Sequence, residues 1–170
     1  MTAQQIELVA DQYARRLAVR RRSADEPLWA LLDAVVDPEI PALSLWDLGV
    51  LQDVHRDGNA IVVVMTPTYV GCPALDAMTD DVRACLAAAG HENVRIEMRL
   101  DPPWSTAGLS AAARRRLFEH GIAPPAVAAV VCPQCGSERT ELISQFGSTA
   151  CKALYRCMQC REPFDYFKPF

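Results

Sequence analysis

No stretch of the 170 residues approaches the roughly eighteen uninterrupted apolar residues that a membrane-spanning helix needs, so the sequence offers no such span. The first twenty-five residues hold no apolar core of a secretion signal, and their arginines follow the hydrophobic residues rather than precede them. A cytoplasmic protein with reduced thiols is therefore expected. Histidine is scarce: His55, His91 and His120 stand apart, each beside charged or turn-forming residues, and are expected on the solvated surface. With no histidine near Cys72 in sequence, a cysteine–histidine hydrolase finds no support. A glycine-rich dinucleotide fingerprint and a helical Glu-x-x-His pair are both missing, which argues against nucleotide-dependent reduction and di-iron chemistry by this chain. A net charge of -4 argues against a general nucleic-acid binder.

Cysteine, by contrast, is plentiful. Two of the seven pair off as Cys132-Pro-Gln-Cys135 and two more as Cys157-Met-Gln-Cys160. Each hook can present two thiolates from a tight turn, and two hooks supply the four sulfurs of a tetrahedral zinc site. Residues 132–170 are expected to be a zinc ribbon with structural zinc on Cys132, Cys135, Cys157 and Cys160; a ribbon carrying iron and a redox-active dithiol pair are the alternatives. So short a segment cannot fold on apolar burial alone and would draw its stability from the metal, whereas the preceding residues are enough for a self-sufficient core. In the ribbon Arg139, Lys152, Arg156, Arg161 and Lys168 stand against Glu138, Glu141, Glu162 and Asp165. Four thiolates on a divalent ion then leave the ribbon near neutral, without the basic field that nucleic acid needs.

Along the rest of the chain, Ile6, Val9, Ala10, Tyr13 and Leu17 share one helical stripe, with Arg15 and Arg16 off it, predicting an amphipathic helix or arm over residues 1–25 with a polar break from Arg20 onward. A second helix is expected from Pro27 to Val36, then a turn-rich loop from Asp37 to Leu48. Val50–Arg56 and Ala60–Met65 flank Asp57-Gly58-Asn59 and read as a hairpin. Its second strand lacks polar alternation and is expected at the centre of a sheet. A helix starting at Pro73 and closing at Gly90 carries Cys85 on its apolar stripe, where inert packing is the natural role. Val94 to Leu100 alternates as a strand, Ser110 to Glu119 is a short helix with the solvated run Arg114–Arg116, and Pro124-Pro125 opens a linker over 124–131. The fold class is α+β: a small mixed or antiparallel sheet with flanking helices over residues 26–123, followed by the all-β ribbon.

A second constellation joins the buried strand to its following helix: Thr66-Pro-Thr68-Tyr-Val-Gly71-Cys72-Pro73. Placed at the N-cap of that helix, Cys72 would have its thiolate stabilised by the first-turn amides, and Gly71 would allow close approach of a ligand. Thr66 and Thr68 add hydroxyls. The competing role is a buried cysteine that only fills the core. Asp37, Glu39 and Asp47 either line the same cleft or cap turns. Cys151, between the hooks, is taken as a free thiol, with packing and spare-ligand roles open.

Asp37-Pro-Glu-Ile-Pro41, Leu45-Trp-Asp-Leu-Gly-Val50, Met65-Thr-Pro-Thr68 and Gly71-Cys-Pro-Ala74 together resemble the small α+β domain of iron-sulfur assembly factors of the SufT type, over about residues 26 to 102. With Phe146 to Cys157 and Glu162 to Lys168 added, the whole chain resembles the PaaD family, the D subunits of the phenylacetyl-CoA epoxidase system. The resemblance implies an accessory role in aerobic phenylacetate breakdown: assembly of iron or an iron-sulfur cluster in the reductase or oxygenase component, or else a stably bound structural or electron-transfer subunit. It implies that Cys72 is the reactive thiol or transient ligand. One thiolate cannot hold a cluster alone, so a partner protein or a homodimer would have to share it.

Overall fold

The computed structural model describes residues 12–69, 71–126 and 129–169. The chain divides into two compact units, Met1–Leu109 and Ser110–Phe170.

In the first unit, helix α1 (Gln12–Arg22) precedes α2 (Glu26–Leu32), the single turn α3 (Leu45–Leu48), the hairpin β1 (Leu51–Asp57) and β2 (Ala60–Met65), the long helix α4 (Leu75–Ala88) and β3 (Val94–Met98). The sheet order is β1-β2-β3, antiparallel on one side of β2 and parallel on the other. The unbroken run Ile61-Val-Val-Val-Met65 makes β2 the central strand, buried along its whole length. β-Branched side chains stack well on a pleated surface, and each buried one contributes about 1.5–3 kcal/mol. Parallel pairing with β3 requires a crossover, which α4 provides. That helix buries Met78, Val82 and Leu86 and ends in a left-handed Gly90, with amides of Gly90 and His91 returning to the carbonyls of Ala87 and Leu86.

Four local expectations need correction. The second helix stops at Leu32, although Val35 still packs inward. Residues expected to be only loop contain α3, started by Ser44, whose Oγ accepts from the Asp47 amide (3.1 Å) and donates to Asp47 Oδ2 (3.0 Å). α1 runs through the predicted polar break to Arg22, because Arg20 finds Asp33 with both terminal nitrogens (2.7 and 2.6 Å). The fourth concerns what α1 buries. Ile6, Val9 and Ala10 lie outside the described residues, and within them the buried side chain is Arg16. Its guanidinium lies 4.6 Å from the Trp46 ring centroid and its Nη1 donates to the carbonyls of Trp46 (2.8 Å) and Leu51 (3.3 Å). Burial lowers its pKa to about 10, with Tyr13 and Asp47 pulling the other way, so it stays charged at neutral pH.

The second unit opens with α5 (Ala111–Glu119), capped by Ser110 Oγ accepting from the Ala113 amide. It continues through β4 (Ile122–Ala123), β5 (Thr140–Ser144), β6 (Lys152–Cys157) and β7 (Pro163–Phe167). The sheet order is β4-β7-β6-β5, with β4 parallel to β7 and the rest antiparallel. Arg114 is not fully solvated: its Nη1 donates to the Pro125 carbonyl (2.8 Å). The segment after β4 is likewise tied down, by the Ala126 amide on Tyr166 Oη and by Thr140 Oγ1 on the Val130 carbonyl. One buried cluster of this unit comprises Ala123, Cys132, Ala153, Cys157, Phe164 and Tyr166, and two of those six residues are cysteines of the hooks. Among the described residues no helix is long and apolar enough to cross a membrane.

Candidate metal centre and thiol loop

The two hooks are built alike. In the first, the Gly136 amide donates to the Cys132 carbonyl and the Cys132 amide to the Ser137 carbonyl (both 2.9 Å); in the second, Arg161 donates to Cys157 and Cys157 to Glu162 (both 3.0 Å). The residue after each second cysteine is left-handed, Gly136 at φ 73° and Arg161 at φ 70°. This turn points both cysteine side chains of a hook the same way. The sulfurs of Cys132, Cys135, Cys157 and Cys160 all lie within 4.8 Å of one another. Cys132 and Cys160 are 3.7 Å apart, Cys135 and Cys157 3.5 Å. Metal–sulfur bonds of about 2.3 Å at a tetrahedral centre put sulfurs about 3.8 Å apart, so the donor set fits a tetrathiolate metal ion.

Local electrostatics favour thiolates unevenly. Burial pushes the Cys157 thiol up, but amides of Cys160 and Gln159 aimed at its sulfur (3.4 and 3.3 Å) and the neighbouring thiols outweigh it and bring it down to about 6. Cys160 gains from a backbone hydrogen bond at Glu162, yet burial and its bonds to the other three cysteines push it up to about 12. Four thiols in one cluster ionise stepwise, and a divalent cation removes the repulsion that resists the later steps.

The remaining cysteines stand apart from this cluster. Cys85 points its sulfur at the Leu31 carbonyl (3.3 Å) and burial raises its pKa, in keeping with packing. Cys151 is buried, its sulfur 3.0 Å from Thr149 Oγ1, and takes part in no disulfide. It belongs to a tightly folded loop between β5 and β6. There Asp165 Oδ2 accepts from Ser148 Oγ (2.6 Å) and faces the buried Lys152 ammonium at 3.8 Å.

The thiol loop leaves the carboxyl end of β2. Cys72 is buried, but it is not the N-cap: that position is Ala74, without a side-chain hydrogen bond, and the helix begins at Leu75. Proline at 73 forms a preceding turn instead, closed by the Leu75 amide on the Cys72 carbonyl and the Cys72 amide on Tyr69 (3.2 and 3.3 Å). The helix therefore begins after Cys72 and its turn rather than at the thiol itself. Gly71 adopts φ 86°, and chain neighbours aside no described atom lies within 4 Å of where a Cβ would sit, so the space over Gly71 is open. Thr66 is buried, its amide on the Val50 carbonyl, and Thr68 half-buried. Asp37 is turned inward, its Oδ1 accepting from the amides of Glu39 and Ile40 (2.8 and 2.7 Å). Asp47 accepts from the Ser44 hydroxyl at the start of α3. Both acids therefore hold turns, and Glu39 contributes its backbone to the first of them. His55, beside Asp53, and His120, on the Arg116 carbonyl, sit at the surface.

One group beside the loop carries no sequence signal of its own. Trp104, after two prolines, donates its indole N–H to the Leu48 carbonyl (3.0 Å) and lines a small cleft with Thr66, Thr68, Tyr69 and Leu100. A lone tryptophan in an aperiodic segment gives no pattern to read.

Comparison with known proteins assigns both halves. Residues 25–98 match the family model described as iron-sulfur cluster assembly protein, and residues 123–168 that of the PaaD zinc beta ribbon domain. The chain is 46% identical over 162 residues to the D subunit of the "Putative 1,2-phenylacetyl-CoA epoxidase" of Escherichia coli (strain K12), covering 91% of this chain and 98% of that one. It is 37% identical over 84 residues to an Fe-S protein maturation auxiliary factor of Porphyromonas gingivalis, covering 48% of this chain and 78% of the relative. A crystal structure of the domain of unknown function DUF59 from Bacillus anthracis superposes with a TM-score of 0.50 at 33% identity, over 55% of this chain and 90% of that one.

Proposed function

The chain belongs to the family of the D subunit of the Escherichia coli phenylacetyl-CoA epoxidase, and from that premise we propose that it is an accessory maturation protein which supports assembly of an iron or iron-sulfur centre in a partner component of that system. The observation that carries the reading is the joining, in one chain, of an iron-sulfur assembly domain to a four-thiolate ribbon, with similarity to that relative running across nearly its full length.

The roles divide between the units. Cys132, Cys135, Cys157 and Cys160 would hold a structural zinc ion, closed to chemistry because all four positions are protein sulfurs. Cys72 is the thiol that meets the cargo. Buried at the end of β2 with open space over Gly71, it would give one sulfur to iron or a cluster whose other ligands come from the partner or from a second copy of the chain. The thiol yields its proton on binding, and the cargo moves on by ligand exchange, which consumes no electrons. Thr66 and Thr68 flank the same exit with hydroxyls. Asp37, Glu39 and Asp47 support the scaffold around it.

Co-expression of Cys72→Ser with the reductase and oxygenase components tests this. Folding and ribbon metal are expected to stay intact while iron or cluster occupancy of a partner falls several-fold. Unchanged occupancy would sink the carrier role, and stoichiometric co-purification of the variant with a fully metallated partner would establish a structural subunit instead.

A further inference from the structure

The four sulfur-bearing residues of the ribbon are not equally placed. In each hook the first cysteine is interior: Cys132 and Cys157 are both 0% exposed and belong to the buried cluster of the second unit. The second cysteines lie further out, Cys160 half-buried and Cys135 exposed. Gln134 and Gly136, on either side of Cys135, are exposed as well. Chain neighbours aside, no described atom lies within 4 Å of where a Cβ on Gly136 would sit. A small reagent in solution therefore meets the cluster most directly at Cys135. Hydrogen bonding adds to the difference. The Cys157 sulfur accepts the amides of Gln159 and Cys160 (3.3 and 3.4 Å), and such bonds draw electron density from a thiolate and make it a poorer nucleophile.

Four protein sulfurs fill a tetrahedral sphere, so the reactive atoms of a loaded ribbon are the sulfurs themselves. We propose that Cys135 is a modification site for hydrogen peroxide, a small two-electron oxidant, and that its oxidation dismantles the metal centre; the inference rests on the reading of the ribbon as a zinc site. In the first step the Cys135 sulfur attacks one peroxide oxygen. A sulfur–oxygen bond forms, the oxygen–oxygen bond breaks and hydroxide leaves, the sulfur losing the two electrons that the peroxide gains. In the second step the Cys157 thiolate, its sulfur 3.5 Å from that of Cys135, attacks the sulfenic sulfur, forming a disulfide and expelling a second hydroxide. Two thiolates and one peroxide thus become one disulfide and two hydroxides. Cys132 and Cys160 remain, two donors where the site needs four. A dithiol reductant with fresh zinc reverses the change.

The full chain, its zinc first counted by elemental analysis, is treated with substoichiometric hydrogen peroxide and dimedone, which traps sulfenic acid, and the adducts are located by peptide mass spectrometry. The Cys135 adduct is expected to exceed that at each of Cys132, Cys157 and Cys160 by about fivefold or more. Without the trap, zinc release to a chromogenic chelator is expected to keep pace with formation of a disulfide from Cys135 to Cys157. Cys135→His keeps a metal-ligating nitrogen in place of the exposed sulfur and is expected to release zinc to peroxide about tenfold more slowly. Cys160→His, the matched change in the other hook, should release it at the unaltered rate. If Cys135→His does not load, the adduct map of the unaltered chain decides. Adducts spread evenly over the four ligands or centred on another of them, a disulfide without Cys135, equal protection by the two histidine variants, or zinc retained after Cys135 is oxidised would each overturn the proposal. A chain that holds no zinc at the outset would overturn it together with the reading on which it rests.

Discussion

Gly136 and Arg161 occupy equivalent places in the two hooks, both left-handed, yet only one of them is the residue that tolerates that conformation freely. A side chain in the left-handed region costs about 1–2 kcal/mol, partly offset because glycine loses more freedom on folding. Arg161→Gly is therefore expected to stabilise the metal-loaded ribbon by about 0.5–1 kcal/mol, and Gly136→Ala, with open space around the new methyl, to destabilise it by a similar amount. Thermal unfolding of the metal-loaded chain checks both; a common sign for the two changes would contradict the geometry. Gly147 is constrained differently. A Cβ there would lie 2.6 Å from Asp165 Oδ1 and 3.1 Å from the Ala153 carbonyl carbon. Gly147→Ala must displace the carboxylate that holds Ser148 and faces Lys152, for an expected loss of about 1–3 kcal/mol, read from the same melts.

At the scale of elements, α1 is held to its unit by two arginines lying over the Trp29 and Trp46 rings rather than by an apolar stripe alone. Truncating Arg16 to alanine removes the side-chain donor from the carbonyls of Trp46 and Leu51 and empties the space over the indole, an expected loss of about 2–4 kcal/mol. Lysine should not restore it, because a compact ammonium does not lie flat over the indole as the planar guanidinium does. Hydrogen exchange of amides 12–22 is the measurement: faster exchange in both variants is expected, and unchanged protection would mean that other contacts hold the helix. Arg16 also shows what a sequence can and cannot reveal here. Periodicity identifies β2, the hairpin around Gly58 and α4, because there the apolar residues themselves define the buried face. It misplaces Arg16, since a hydropathy pattern scores a guanidinium as polar whatever ring it lies on. It does not mark β4, two residues long, because that strand exists only through pairing with Asp165 and Tyr166 more than forty residues later. The start of α4 is two residues off for a local reason: proline is accepted in a first helical turn, but here Cys72-Pro73 make the turn before it. In the candidate site, the four-sulfur cluster is legible because spacing alone constrains hooks, whereas the inward rotation of Asp37 depends on which amides its carboxylate meets.

For the whole molecule, the two units differ in what holds them. Unit one buries Leu28, Trp29, Leu32, Leu43 and the length of β2, an apolar core independent of any ion. Unit two surrounds its metal ligands with a core of which Cys132 and Cys157 are themselves members, so removing the ion leaves thiols in the interior whose ionised forms lack a counter-charge. Chelation is therefore expected to open residues 110–170 as one body, α5 and β4 included, because β4 is paired only to β7, and β7 to β6, whose last residue is Cys157. The first unit should remain folded. Hydrogen exchange with a strong chelator present reads both halves at once: amides of β4 to β7 should lose protection together while those of β1, β2 and β3 keep theirs. Retained protection of α5 and β4 would place them outside the metal-dependent body, and a simultaneous loss in β2 would show that the two units stand or fall as one.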